Sequence, residues 1–115
     1  MDTITRITAA LRTVESQGAV DIWTPKAERD QGRAIGPWQI WPETFAQWYL
    51  PQPGDSWPRA MEVAAMRLVA HYTALHREPA EIAQIFHLGY GGWQEKGIDR
   101  DYAAKFAAAF AKLSS

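Results

Sequence analysis

The sequence predicts an all-α domain, and three observations carry that prediction. Apolar residues recur at intervals of three and four in several separate stretches, the spacing of one helical face. Pro, Gly, Asp and Ser, which start and stop helices, stand between those stretches. No stretch shows the sustained alternation of a strand, although the irregular region leaves room for a small β-hairpin between Ala19 and Ile40.

In the first stretch Ile4, Ile7, Leu11 and Val14 form one apolar stripe, with Asp2 or Thr3 placed to cap its start and Gly18 able to stop it. From Ala19 to Arg33 the pattern breaks up around Pro25, Gly32 and scattered charges. Pro42 then suits the first position of a short helix carrying Phe45, Trp48 and Tyr49, and Pro51, Pro53 and Gly54 force a loop. Asp55 or Ser56 can cap a long helix from Pro58 to Arg77, whose apolar residues cover most of its circumference and predict a central, mostly buried element. Its alanines let neighbours approach closely. Pro79 opens the next helix, which is expected to end at Gly89, leaving Tyr90-Gly91-Gly92-Trp93 as an aromatic turn. Asp99 caps a last helix whose Tyr102, Phe106, Ala109, Phe110 and Leu113 face the body.

A chain of 115 residues with 47% hydrophobic content suits a single domain over residues 1–115 with one core. A net charge of −1 gives no general attraction for nucleic acid or an anionic membrane. Without cysteine, neither a disulfide framework nor a thiolate site can form, so stability must come from packing. No stretch approaches membrane-spanning length, and the first residues lack the apolar run of a signal peptide. His71 and His76 are five apart, off the same-face helical spacings, so no metal or other cofactor is expected.

The segment from Asp30 to Pro42 combines one carboxylate, one Arg and two Gln with glycines, prolines and two tryptophans. Gly32 and Gly36 allow a ligand close to the backbone. Trp38 and Trp41 offer flat apolar faces with a donor at the rim, and Gln39 both gives and accepts hydrogen bonds. Such a mixture suits a sugar, which has apolar faces and a polar circumference; a rigid surface loop with inward-packed aromatics is the plainer alternative.

At 100° per residue Glu15 falls about 20° beyond the apolar stripe of the first helix, in its last turn. Partial burial raises a carboxyl pKa and a helix C-terminus repels negative charge, so both effects keep the proton on. Placing an acid there works against stability, which points to function rather than to an ordinary surface Glu.

With these pieces in place the chain resembles the lysozyme superfamily, specifically soluble lytic transglycosylases and goose-type lysozymes. The matching residues are Glu15-Ser16 at the end of a first helix, Gly36-x-x-Gln39 followed by Pro42 and Thr44, and Ala83-x-x-Phe86-His87-x-Gly89. Order and spacing agree over roughly residues 4–93. The resemblance implies a lysozyme-like fold and cleavage of the β-1,4 bond between N-acetylmuramic acid and N-acetylglucosamine in peptidoglycan. It makes Glu15 the general acid and places Ser16, Gln39, Trp38, Trp41, Phe86, His87, Tyr90 and Trp93 against the glycan.

The chain also departs from the pattern. Phe86 stands where the family usually has a Tyr whose hydroxyl contacts the acid, so that bond must come from elsewhere, Tyr90 being one source, or be absent. His87 replaces the usual Asn and would contact sugar, assist proton transfer or simply end a helix; Pro37 and Trp38 replace Leu-Met. An inverting hydrolase needs a second carboxylate roughly 6.5–9.5 Å away and a retaining one a nucleophile at about 5–5.5 Å, whereas a transglycosylase uses the muramyl 6-hydroxyl and needs neither. Asp30 is the best second acid, a turn residue being its plainer role; Glu28, Asp21 and Glu43 are weaker, and Trp41 occupies the position of the other goose-type acid. The balance favours the transglycosylase.

Three other classes compete: a noncatalytic glycan-binding module on the same scaffold, a helix-turn-helix nucleic-acid reader, and a plain helical interaction domain. The neutral charge and lack of a basic recognition helix oppose the second. The expected partner is the peptidoglycan strand, met by a monomer acting in the periplasm or cell wall. Delivery is then expected through a bacteriophage virion, a lysis system or a secretion apparatus, unless the chain is an excerpt of a longer protein.

Overall fold

The computed structural model describes residues 1–16, 36–50 and 52–113, and there the protein is all-α, with five helices and no strand. The hairpin expected between Ala19 and Ile40 falls largely outside the described residues, as does the stop at Gly18.

Helix α1 spans Thr3–Ser16, and its cap is Asp2, whose Oδ1 accepts the Thr5 N–H at 2.8 Å. Ile7, Ala10 and Leu11 are fully buried and Val14 nearly so, as the apolar stripe predicts. Thr8 is also buried, but its hydroxyl donates back to the Ile4 carbonyl and the Thr8 carbonyl accepts from the Trp38 indole, so no polar group is stranded.

Helix α2, Pro42–Trp48, begins with Pro at its first position and buries Phe45. The loop after it is tied by Asp55, whose Oδ2 accepts from the Tyr49 hydroxyl at 2.7 Å and the Gln52 N–H at 2.6 Å. Asp55 is therefore not the cap of helix α3, Trp57–Ala74; Ser56 holds that position, without a side-chain bond.

Helix α3 buries Ala60, Met61, Ala64, Ala65, Leu68 and Val69, a single stripe, and leaves Arg59, Arg67 and His71 in solvent. It is thus less enclosed than its composition suggests. Among the described helices α1 is the hub, packing against α3 and both later helices. The long helix stops three residues before Arg77. His76 turns to φ 60°, its N–H bonds the Thr73 carbonyl, and the Arg77 N–H reaches the Tyr72 carbonyl, a Schellman closure made without glycine.

Helix α4, Pro79–Lys96, opens with a reciprocal capping box between Glu78 and Glu81. Its expected end at Gly89 is instead a kink: Gly89 takes φ 76° and ψ 157°, a conformation open essentially to glycine alone, and the helix resumes through Tyr90 to Lys96. The aromatic turn is therefore a helical turn, because Gly91 and Gly92 lower helix propensity without forbidding it. Helix α5, Arg100–Lys112, is capped by Asp99 and buries Tyr102, Phe106 and Ala109.

Apolar side chains from all these helices meet in one core. None of the described helices is long and apolar enough to cross a membrane.

The left-handed His76 gives a direct test of the Schellman closure. His76→Gly removes the Cβ penalty of that conformation at an exposed site, and after the extra unfolded-state entropy of Gly the net gain should be roughly 0.5–1 kcal/mol. Thermal denaturation should show a raised Tm; a lowered Tm would refute the assignment.

Candidate active site

Three helices converge on the Glu15 carboxyl. It lies in the last turn of α1, with its side chain only 14% exposed. From α5, the Tyr102 hydroxyl donates to Glu15 Oε2 at 2.5 Å. From α4, His87 brings Nδ1 to 3.9 Å from the same oxygen, outside hydrogen-bond range but close enough for charges to interact. The imidazole lies flat on the Tyr102 ring, with centroids 3.9 Å apart and planes within 8°.

The far side of the imidazole is held as well. His87 Nε2 is 3.0 Å from Asp99 Oδ2, while Asp99 Oδ1 caps α5 by accepting the Tyr102 N–H. Asp99 is in turn fixed to α4 by Gln84, a buried amide that donates to the Asp99 carbonyl and accepts its N–H. Five side chains from α1, α4 and the start of α5 thus form one connected polar cluster.

Burial pushes the Glu15 pKa above its ordinary value of 4.5, and the Tyr102 hydrogen bond and neighbouring His87 pull it only partly back. Tyr102 is driven upward by burial first and by the Glu15 charge second, so it remains a donor. Asp99 is lowered, chiefly by the Tyr102 N–H and then by the hydrogen bond to His87, which keeps it an anion. The cluster therefore sets a carboxyl of raised pKa beside an imidazole anchored by a carboxylate.

Two cavities adjoin the cluster, with His87 in the wall of both. The smaller, about 190 Å³, opens over Glu15 between Val14, Asp99, Tyr102 and Lys105. The larger, about 340 Å³, is walled by Trp41, Trp48, Tyr72, Phe86 and Tyr90 with Glu43 at its lining. Tyr72 and Tyr90 stack within 10° of parallel at the kink end of α4.

Among the residues expected against a glycan, Trp41, Phe86, His87 and Tyr90 line the larger cavity, and Trp41 is 56% exposed. Trp38 does not face a cleft: it is a core residue, 4% exposed, with its indole N–H donated to the Thr8 carbonyl at 2.9 Å. Gln39 sits at φ 48° and turns its Nε2 back to the Gly36 carbonyl, within its own turn. Ser16 is buried at the end of α1. Trp93 lies beyond Tyr90, 5.7 Å from its ring and under the Arg77 guanidinium, and lines neither cavity. Asp30, with Asp21 and Glu28, lies outside the described residues.

The hydroxyl on the acid comes from Tyr102, not from Tyr90 or position 86. Tyr102, Asp99 and Gln84 went unassigned in sequence because each also fits a structural role: apolar stripe, helix cap and helix polar residue. A signal was present in Gln84, flanked by Ile82, Ala83 and Ile85 on a buried face, where an amide must find partners.

Compared with known proteins, the chain matches no family model, no curated protein and no solved structure.

Glu15 binds its proton more tightly folded than unfolded, so its contribution to stability is greatest below about pH 4.5 and is lost as pH rises through the raised folded value. Glu15→Gln lacks that loss and keeps an acceptor for Tyr102. Its Tm relative to the native chain should therefore climb from acidic to neutral pH; a flat difference would contradict the burial of a titrating carboxyl.

Proposed function

We propose that this protein is a peptidoglycan-cleaving glycosidase of the lytic transglycosylase type, acting on the β-1,4 bond between N-acetylmuramic acid and N-acetylglucosamine. The observation that carries the proposal is the Glu15 carboxyl: largely buried, with its pKa raised by that burial, and at the wall of an open cavity. General acid catalysis of glycoside cleavage needs a carboxyl in that state. The meeting of Glu15 with His87 supports it further, since these residues belong to two of the segments that resemble the family.

In the proposed reaction Glu15 protonates the glycosidic oxygen as the bond to the muramyl anomeric carbon breaks. The muramyl 6-hydroxyl closes on that carbon, and its proton returns to the Glu15 carboxylate. The product carries a 1,6-anhydro end, with no water consumed. Among the described residues the other carboxylates of the Glu15 cavity are Asp99 and Asp101, and the commitment of Asp99 to His87 and the Tyr102 N–H supports this route over hydrolysis. The aromatic cavity on the other side of His87 offers ring faces to sugars.

A noncatalytic glycan-binding module has one observation in its favour: the larger, aromatic cavity is the one Glu15 does not line. A goose-type-like muramidase would use Asp30 as its second carboxylate.

Mass spectrometry of purified peptidoglycan incubated with the protein separates these outcomes. Anhydromuramyl ends are expected, with turnover reduced about 10²–10⁴-fold in Glu15→Gln. Reducing ends would mean hydrolysis, and bound but uncut glycan would leave only the binding module.

A further inference from the structure

We propose that Glu15 and His87 share one proton, with Asp99 as the positioning residue that turns the imidazole toward the acid. The inference rests on Glu15 being the acid of the proposed reaction, and it assigns His87 a role its sequence position left open.

The geometry gives each nitrogen a different task. Asp99, ionised and able only to accept, takes the Nε2–H at 3.0 Å. A neutral His87 therefore presents Nδ1 as a lone pair, and it is Nδ1 that faces Glu15 at 3.9 Å. The ring cannot swing freely, since it lies on Tyr102 and Gln84 holds the Asp99 backbone. Closing the gap to hydrogen-bond range takes about an ångström, supplied by the Glu15 side chain pivoting on its Tyr102 hydrogen bond while the ring stays in place. In the transfer the Glu15 O–H bond breaks, its electron pair stays on the carboxylate, and the proton bonds to Nδ1. The resulting imidazolium stands between two carboxylates, and no other reactant is required.

The remaining titratable groups around His87 do not replace this pairing. In the Glu15 cavity Asp101 is held by Lys105, and the Tyr102 hydroxyl already donates to Glu15. In the aromatic cavity Glu43, Tyr72 and Tyr90 are the titratable groups, and no ion pair joins them to the imidazole among the described residues.

The test is an NMR titration of the full chain labelled with carboxyl-¹³C glutamate, the Glu15 signal being identified by its loss in Glu15→Gln. In the native chain Glu15 should titrate in two steps, the second coinciding with the His87 ring signals, because coupled groups report each other's protonation. His87→Asn should abolish the second step and move the remaining midpoint upward. Asp99→Asn, which still caps α5, should shift the second step to lower pH. A single-step Glu15 curve, unchanged in both variants, overturns the proposal.

The pH–rate profile of peptidoglycan cleavage should follow the same shifts. Two-step titration without cleavage would reject the enzyme and keep the coupling. Cleavage with a single-step curve would do the reverse.

Discussion

The hydrogen bond from Tyr102 to Glu15 joins side chains 87 positions apart and determines how much of the molecule is arranged. Neither group could be buried alone at acceptable cost, since a phenol hydroxyl and a carboxyl both lose water on entering the core. Together they satisfy one another where the end of α1 meets the start of α5. The opposite ends of these helices are also clasped: Arg6 donates from Nε and Nη2 to the Phe110 carbonyl and lies 3.6 Å over the Phe110 ring. The two helices therefore run antiparallel with a polar fastening at each end and Ile7, Leu11 and Phe106 buried between those ends.

That arrangement places a carboxyl where ordinary packing would avoid one. The last turn of α1 disfavours a negative charge, and burial disfavours it more. Elsewhere in the core the described polar groups are resolved by hydrogen bonds: Thr8 bonds its own helix, the Trp38 indole caps a carbonyl, and Gln84 pairs with backbone. Glu15 is different because its partner does not neutralise it. Tyr102 supplies a hydrogen bond but no charge, so the proton's position is left chiefly to burial, which favours keeping it, with Tyr102 and then His87 pulling the other way. In the proposed enzyme this is the useful state, an acid whose proton can leave and return.

The helices were legible because their signals are local. The stripe Ile4, Ile7, Leu11, Val14, the Pro residues at 42 and 79 and the Asp99 cap each act within a few residues, and the structure places helices accordingly. Two boundaries were not legible. Gly89 reads as a stop, yet a glycine can equally serve a kink, and only the tertiary setting chooses. His76 closes a helix in a conformation usually left to glycine, so nothing in the sequence marked the end of α3 before Arg77. At the site, Glu15 was legible from angle and helix position, but its partners were not. Tyr102 and Asp99 meet it only after α5 folds back over α1, a contact that no local pattern encodes. Trp38 shows the opposite error: its neighbours Gly36 and Gln39 suggest a binding loop, while a carbonyl one helix away claimed its N–H.

The side chains around the acid divide the work among them. Phe86 carries no hydroxyl and packs against the core. The hydroxyl on the acid comes from Tyr102, on the helix that Asp99 caps. Asp99 gives His87 an anchor, because imidazole has two nitrogens to satisfy and one of them must be fixed for the other to point anywhere. His87, Asp99 and Tyr102 are therefore interdependent. An asparagine at 87 would leave Asp99 without the ring it holds. The proton chemistry proposed for Glu15 thus depends on the packing of α5 as much as on the helix that carries the acid.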